Sequence, residues 1–81
     1  MARISAQLDK DGDLVSLGAA IRARRIAMEL SQEALADAAE IDRSHMGKIE
    51  RGERNVTFLN ILRIARAIQC KPSDLLIEAG L

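Results

Sequence analysis

The segment from residue 31 to residue 55 constrains the fold more than any other part of the chain, because it predicts two short helices joined by a tight turn. It reads SQEALADAAEIDRSHMGKIERGERN. The hydroxyl oxygen of Ser31 can cap the first helix, and Asp42 can cap the second, which we expect to run from Arg43 to Arg51. Gly52 follows where helices commonly end in a left-handed residue. The rest of the chain must hold these two helices together.

The second of these helices has an outer face rich in hydrogen-bond donors. Met46 and Ile49 lie at the spacing of an inward-facing apolar stripe. The residues left on the outside are mostly cationic, polar or small: Arg43, Ser44, Gly47, Lys48 and Arg51. A face of this composition is suited to nucleic acid, although a solvated charged surface has the same composition.

Charge is unevenly distributed along the chain, although it cancels overall. The sequence has 12 Lys and Arg against 12 Asp and Glu. Residues 43 to 66 are rich in cations and contain only two acidic residues, Glu50 and Glu53. The cations are Arg43, Lys48, Arg51, Arg54, Arg63 and Arg66. Acidic residues gather instead at Asp9, Asp11, Asp13, Asp37, Glu40 and Asp42. This polarity agrees with a basic binding face on a neutral body.

The composition predicts one all-α domain. The chain has 81 residues, 48% of them hydrophobic, and Phe58 is its single aromatic residue, so alternating β-strand patterns are nearly absent. Besides the central pair, we expect helices over residues 16–30, over 58–68 with Thr57 as its cap, and from Pro72 onward. Residues 1–13 are expected to form a flexible arm, and residues 14–81 the domain.

Several functional classes find no support in the sequence. No apolar run is long enough to span a membrane, and the amino terminus lacks the apolar core of a signal peptide, so we expect a cytoplasmic protein without a membrane partner. Cys70 and His45 are the single cysteine and histidine, which argues against a disulfide or a metal site. No nucleophile, phosphate loop or carboxylate pair has catalytic spacing. We therefore expect neither an enzyme nor a cofactor or small-molecule ligand.

The central segment resembles the helix-turn-helix of the Cro/C1-type repressor family, also called the XRE family. The motifs SQEALA, IERGERN and LRIARAI match that family, and the resemblance extends over residues 14 to 77. Ala36 stands where the family has a small residue at the helix crossing, and Met46 where it has an apolar residue. The family usually has glycine in a left-handed turn where this chain has Glu40, a departure that should cost about 1 kcal/mol. The resemblance implies a five-helix, lambda-repressor-like DNA-binding domain.

The resemblance also implies a buried ion pair. Arg25 falls on the same predicted stripe of the first helix as Leu17, Ile21 and Met28. In the family an arginine at this place meets a glutamate of the recognition helix, and the matching residue here is Glu50. The alternative is that Arg25 reaches solvent along its apolar stem.

Roles in DNA binding follow from the same resemblance. The recognition helix of the family enters the major groove with its amino end first. This places Arg43, Ser44, Gly47 and Lys48 nearest the base edges. Backbone phosphates would be held by Gln32, His45, Arg51, Arg54 and Asn55, which position the protein rather than select a sequence.

The last predicted helix carries more apolar surface than one face can bury. In the family, a comparable helix packs against its twin across a two-fold axis. We therefore expect a homodimer whose interface includes Ile68, Leu75, Leu76 and Ile77. The alternative is that these side chains simply close the core of the monomer.

The run IDRSHMGKIERGERNVTFLNILRIA resembles, within this family, the controller proteins of restriction-modification systems. Those proteins are homodimers that regulate their own gene together with that of the endonuclease. We therefore expect a sequence-specific transcriptional regulator that binds a palindromic operator in double-stranded DNA as a homodimer. The alternative is an antitoxin-type or other protein-interaction module that uses the same fold.

Overall fold

Within residues 9–81, the chain folds as five helices connected by short loops. A computed structural model describes residues 9–81. The helices are α1 (Asp13–Ala27), α2 (Gln32–Ala39), α3 (Arg43–Glu50), α4 (Phe58–Ala67) and α5 (Pro72–Glu78). The all-α class and the central pair of helices are thus confirmed. None of the helices in this range is long and apolar enough to cross a membrane.

Side-chain caps begin three of the helices at the predicted residues. The Ser31 hydroxyl accepts a hydrogen bond from the Ala34 amide at 2.9 Å, and Thr57 accepts one from the Asn60 amide at 3.1 Å. The Asp42 carboxylate accepts from the first amides of α3. Each cap satisfies an amide that has no partner within its own helix. Local sequence is therefore sufficient to set where these helices begin.

Helix α1 begins at Asp13, three residues before the predicted Ser16. The Asp9 carboxylate accepts hydrogen bonds from the amides of Asp13 at 2.9 Å and Leu14 at 2.8 Å. Gly12 lies between them with a φ of 72°, a conformation that glycine adopts without steric cost. The predicted arm over residues 1–13 is consequently shorter at its carboxyl end, and its residues 1–8 lie outside the described range.

The helices end in one repeated arrangement, in which a left-handed residue reverses the chain. At the end of α2 this residue is Glu40, with φ 58° and ψ 42°, as predicted. Its amide donates to the Asp37 carbonyl at 3.1 Å, and the Ile41 amide donates to the Ala36 carbonyl at 2.9 Å, which is the Schellman pattern. The corresponding left-handed residues elsewhere are Glu29, Gly52, Gln69 and Gly80. Glu29 explains why α1 ends at Ala27 and not at the predicted Leu30.

The core lies between the inner faces of all five helices. Its largest fully buried side chains are Ile21, Leu35, Met46, Ile49, Ile64, Ile68 and Leu75. This corrects the predicted dimer interface, because Ile68 and Leu75 are buried in the core of the monomer. Leu76 and Ile77, 37% and 70% exposed, remain on the surface. Leu59 of α4 is also exposed.

Helix α1 approaches α3 unusually closely at Gly18. A Cβ atom on Gly18 would lie only 2.5 Å from the carbonyl oxygens of Ile49 and Glu50. Any side chain at this position would push the two helices apart. The absence of a side chain therefore fixes how deeply the carboxyl end of α3 lies against α1.

Candidate nucleic-acid interface

Helix α3 presents cations and small polar groups on its outer face, while Met46 and Ile49 anchor its inner face in the core. Arg43 and Ser44 are exposed in the first turn, and Lys48 is half-buried one turn later. Neither Arg43 nor Lys48 forms an ion pair with any residue from 9 to 81. Two cationic side chains on one helical face are therefore available to an anionic partner.

The carboxylate of Asp42 organises the amino end of α3. Its Oδ2 atom accepts hydrogen bonds from the Ser44 hydroxyl at 2.8 Å, the Ser44 amide at 3.1 Å and the His45 amide at 3.3 Å. The hydroxyl bond, followed by the His45 amide, holds the pKa of Asp42 below its usual value. Asp42 is therefore ionised at neutral pH, and Ser44 is tied to it by both its backbone and its side chain.

A buried ion pair fixes the other end of α3. Arg25 Nε donates to Glu50 Oε2 at 2.7 Å, and Arg25 Nη2 donates to Glu50 Oε1 at 3.1 Å. The third guanidinium nitrogen, Nη1, donates to the Leu30 carbonyl at 2.9 Å. The Arg25 side chain is 12% exposed and that of Glu50 only 2%. The guanidinium of Arg25 thus joins α1, the loop before α2, and α3.

Gln32 completes this junction and does not lie free on the surface. Its Nε2 atom donates to Glu50 Oε1 at 3.1 Å, so the glutamate carboxylate has three donors from two side chains. We expected Gln32 at a DNA phosphate, and the structure shows a further contact that we did not expect, to Glu50 on α3. Sequence reasoning missed this contact because residues 32 and 50 belong to different helices and no local pattern links them.

Gly47 is also placed differently from expectation. We expected it near the base edges, but it is buried beneath neighbouring side chains. A Cβ atom there would lie 3.2 Å from both Gln32 Oε1 and Arg51 Nη1. Gly47 therefore allows α2 and the Arg51 side chain to pack tightly against α3, and has no side chain with which to read a base.

Three of the other expected phosphate-binding residues, Arg51, Arg54 and Asn55, lie at the carboxyl end of α3 and in the loop after it, whereas His45 lies in the first turn of α3. Arg51 and Asn55 are exposed, whereas His45 and Arg54 are half-buried. Arg51 Nε donates to Glu53 Oε2 at 3.0 Å, and this contact lowers the pKa of Glu53. Because both partners of this pair remain accessible, an anion could replace Glu53 at little cost.

Comparison with known proteins identifies the relatives of this chain. The helix-turn-helix family model matches residues 21–75. The control protein C.SmaI of Serratia marcescens is 38% identical over 61 residues, which cover 75% of this chain and 73% of that protein. The control protein C.BamHI of Bacillus amyloliquefaciens is 45% identical over 47 residues, which cover 58% of each chain.

Solved structures agree with these matches. The restriction-modification controller protein C.AhdI from Aeromonas hydrophila is 47% identical and superposes with a TM-score of 0.78, covering 79% of this chain and 97% of that one. The clp gene regulator ClgR from Corynebacterium glutamicum is 28% identical with a TM-score of 0.82, covering 84% of this chain and 72% of that one. The fold is therefore shared with regulators of more than one kind.

Proposed function

The chain belongs to the XRE-type helix-turn-helix family, and on that basis we propose that it is a transcriptional regulator of the restriction-modification controller type. In this proposal it binds a palindromic operator as a homodimer, in the cytoplasm, where the DNA is accessible. The observation that carries the proposal is the outer face of α3, where Arg43 and Lys48 stand without ion-pair partners among residues 9–81. The names of the relatives C.SmaI and C.AhdI support the controller type.

A fixed recognition helix is what such a function requires. The junction of Arg25, Glu50 and Gln32 holds the carboxyl end of α3, and the close approach at Gly18 limits its movement along α1. Base edges are read by hydrogen bonds whose geometry tolerates little displacement. Holding α3 before DNA arrives means that less ordering is needed on binding, and this supports a sequence-specific partner.

We assign base readout to Arg43, Ser44 and Lys48 of α3, and phosphate contact to His45 in its first turn and to the residues at its carboxyl end and in the loop after it. Arg43 has the fork geometry that pairs with the O6 and N7 acceptors of guanine, and Lys48 can reach guanine or phosphate. His45, Arg51, Arg54 and Asn55 would hold the DNA backbone. The neutral net charge implies that affinity depends on this local cluster and not on the field of the whole protein.

The homodimer is proposed from the apolar residues that the core leaves exposed. Leu76 and Ile77 lie side by side on the outer face of α5. Contact of α5 with its twin would cover them and place two recognition helices roughly 34 Å apart, which is the spacing of half-sites one DNA turn apart. The expected operator is therefore a palindrome, because a two-fold protein axis demands a two-fold site.

Two arginine variants test the division between readout and phosphate contact. A selection from random duplexes first yields the operator. Arg43→Ala should then lose about 1 to 3 kcal/mol per half-site on the operator and little on scrambled DNA. Arg54→Ala is the matched control, because it should weaken both duplexes and make the salt dependence shallower by about one log–log unit per lost phosphate contact. Titrations at several salt concentrations measure both effects.

The opposite pattern, with Arg43→Ala weakening both duplexes equally and Arg54→Ala relaxing sequence preference, would reverse the assignment. A selection that enriches no sequence would refute the regulator proposal and favour a protein-interaction module. An operator upstream of the chain's own gene, beside genes for a methyltransferase and an endonuclease, would support the controller type.

Sedimentation tests the dimer. We expect the protein to sediment as a dimer at micromolar concentration and Ile77→Glu to sediment as a monomer, since it would bury a carboxylate at the interface. Because Ile77 is 70% exposed in the monomer, its substitution should leave the melting temperature of the isolated fold nearly unchanged. Arg66→Glu is the control, because it places a glutamate at an exposed position of α4 outside the proposed interface. A wild-type monomer at high micromolar concentration would contradict the proposal.

A further inference from the structure

Asp42 and Ser44 form a contact at the amino end of α3 that capping alone does not require. A capping carboxylate needs only the free backbone amides of the first turn, and Asp42 Oδ2 has these from Ser44 and His45. The same oxygen also accepts the Ser44 hydroxyl, at 2.8 Å, the shortest of the three contacts. Both residues are exposed, and Ser44 stands beside Arg43 on the face already assigned to base readout.

This contact fixes the direction of the Ser44 hydroxyl. An ionised carboxylate can only accept hydrogen bonds, so the hydroxyl must donate its single hydrogen to Asp42. The lowered pKa of Asp42 keeps the carboxylate ionised throughout the neutral range. Because this hydrogen is used in the bond to Asp42, the exposed Ser44 oxygen has only its acceptor lone pairs free.

We propose that Asp42 is a positioning residue that makes Ser44 a selective hydrogen-bond acceptor, so that Ser44 recognises a base carrying an exocyclic amine in the major groove. The amine is N6 of adenine or N4 of cytosine, and these are the major-groove donors of the four bases. Guanine and thymine present the oxygens O6 and O4 instead, and two acceptors facing each other repel. This inference rests on the proposed function, because it concerns the same DNA interface.

The two neighbouring readers then have opposite requirements. The guanidinium of Arg43 can only donate hydrogen bonds, so it selects acceptors such as those of guanine. Ser44 would select a base with an exocyclic amine, which donates a hydrogen bond, close to the base that Arg43 contacts. A free serine hydroxyl could turn to suit either kind of base, so the discrimination at Ser44 comes from Asp42 and not from serine itself.

The experiment compares the full-length wild type with Ser44→Ala, Ser44→Thr and Asp42→Asn. The operator is first selected from random duplexes, and each half-site position is then tested with all four base pairs. At one position the wild type should prefer adenine over guanine, or cytosine over thymine, by about three- to tenfold, the value of one hydrogen bond. Ser44→Ala should lose this preference, and Ser44→Thr should keep it because threonine retains the hydroxyl.

Asp42→Asn separates positioning from helix capping. Asparagine caps helices about as well as aspartate, so α3 should remain folded, as thermal melts can verify. Its amide group can donate as well as accept, so the Ser44 hydroxyl becomes free to turn toward an oxygen. The preference for the amine-bearing base should shrink, while the preference assigned to Arg43 should persist. A purely structural role of Asp42 would weaken binding to all sequences equally.

Base analogues test the same point on the wild type alone. Replacing the selected adenine with purine, or the selected cytosine with 2-pyrimidinone, removes only the amine, and should cost the wild type about three- to tenfold in affinity but leave Ser44→Ala unaffected. The inference is overturned if the preference that depends on Ser44 is for guanine or thymine, or if Ser44→Ala changes no base preference. If the selection yields an operator but either of these results is observed, this inference is overturned and the proposed function still stands. Failure to select any operator would overturn both.

Discussion

Two arginines adjacent in the sequence each meet a glutamate, and the surroundings of the two pairs differ completely. Arg25 pairs with Glu50 at 12% and 2% side-chain exposure, with further hydrogen bonds to the Leu30 carbonyl and from Gln32. Arg24 pairs with Glu78 of α5 at 33% and 40% exposure, with Nε donating at 3.0 Å to Oε1 and 3.1 Å to Oε2. We call these the inner pair and the outer pair.

The difference teaches that burial, and not the number of contacts, decides what a charge pair does. Both guanidinium groups bond the carboxylate through more than one nitrogen. Water can replace either partner of the outer pair, so breaking it costs little. Loss of one member of the inner pair leaves the other as a buried charge without its opposite charge. We therefore expect the inner pair to determine the position of α3, and the outer pair to adjust how α5 lies on α1.

The largest expected effect comes from breaking the inner pair. Arg25→Ala should lower the free energy of unfolding by about 3 to 5 kcal/mol, because Glu50 would remain buried and unpaired. Urea denaturation measures this loss, and Arg24→Ala is the adjacent control, which should change the unfolding midpoint far less. Equal losses in the two variants, or a loss below about half a kcal/mol for Arg25→Ala, would remove the distinction between the pairs.

A second comparison concerns the room for a larger side chain on the two sides of α1, at Gly18 toward α3 and at Ala23 toward α5. Gly18→Ala should destabilise the fold by about 2 kcal/mol, because a clash with fixed backbone oxygens exceeds the roughly 1 kcal/mol that alanine gains over glycine in a helix. Ala23 lies on the side toward α5, beside a shallow groove lined by Ser16, Ala19, Ala20, Glu78 and Ala79.

Ala23→Leu is therefore the control for Gly18→Ala, although it adds more atoms. It should change stability by no more than about half a kcal/mol, as is usual for surface substitutions. Thermal and urea melts of both variants test the contrast. A stable Gly18→Ala protein would show that α3 can shift outward, and then its DNA affinity should fall even though the fold survives.

The smallest expected effect is the pH dependence of the outer pair. The hydrogen bond from Arg24 lowers the pKa of Glu78 below the usual 4.5 in the folded protein. A carboxyl group whose pKa falls on folding contributes stability above its unfolded pKa and loses it as the pH drops through the folded value. The stability difference between wild type and Glu78→Gln should thus be slight near neutrality, begin to fall near pH 4.5, and vanish once the pH is below the folded pKa of Glu78. Melts across this range, at low and high salt, measure it. A difference that grows on acidification would contradict the assignment.

Much of the fold follows from local sequence. Ser31, Asp42 and Thr57 cap the helices we expected, because a cap requires only a side-chain oxygen and amides within the next few residues. The left-handed Glu40 was expected from the family resemblance, and its φ of 58° confirms it. The first boundary of α1 was wrong by three residues because Asp9 caps it from a distance that the apolar pattern did not reveal.

Burial at the candidate site was harder to predict. Gly47 and Gln32 appeared suited to DNA by their place in the motif, yet Gly47 is covered and Gln32 bonds Glu50. Likewise, Ile68 and Leu75 share their apolar character with Leu76 and Ile77, but only the latter two are exposed. A residue's type states what it can contact, whereas its exposure depends on helices that are distant in the sequence.

The sequence by itself determined the central pair of helices, the caps of α2, α3 and α4, and the cations of α3, since these depend on residues within one or two turns of each other. Only the tertiary structure decided which of two adjacent arginines is buried, why Gly18 must lack a side chain, and how Glu50 finds three donors. Each of these depends on where α1, α2 and α3 cross. That crossing is set by the joint packing of many side chains, so no single segment of the chain encodes it.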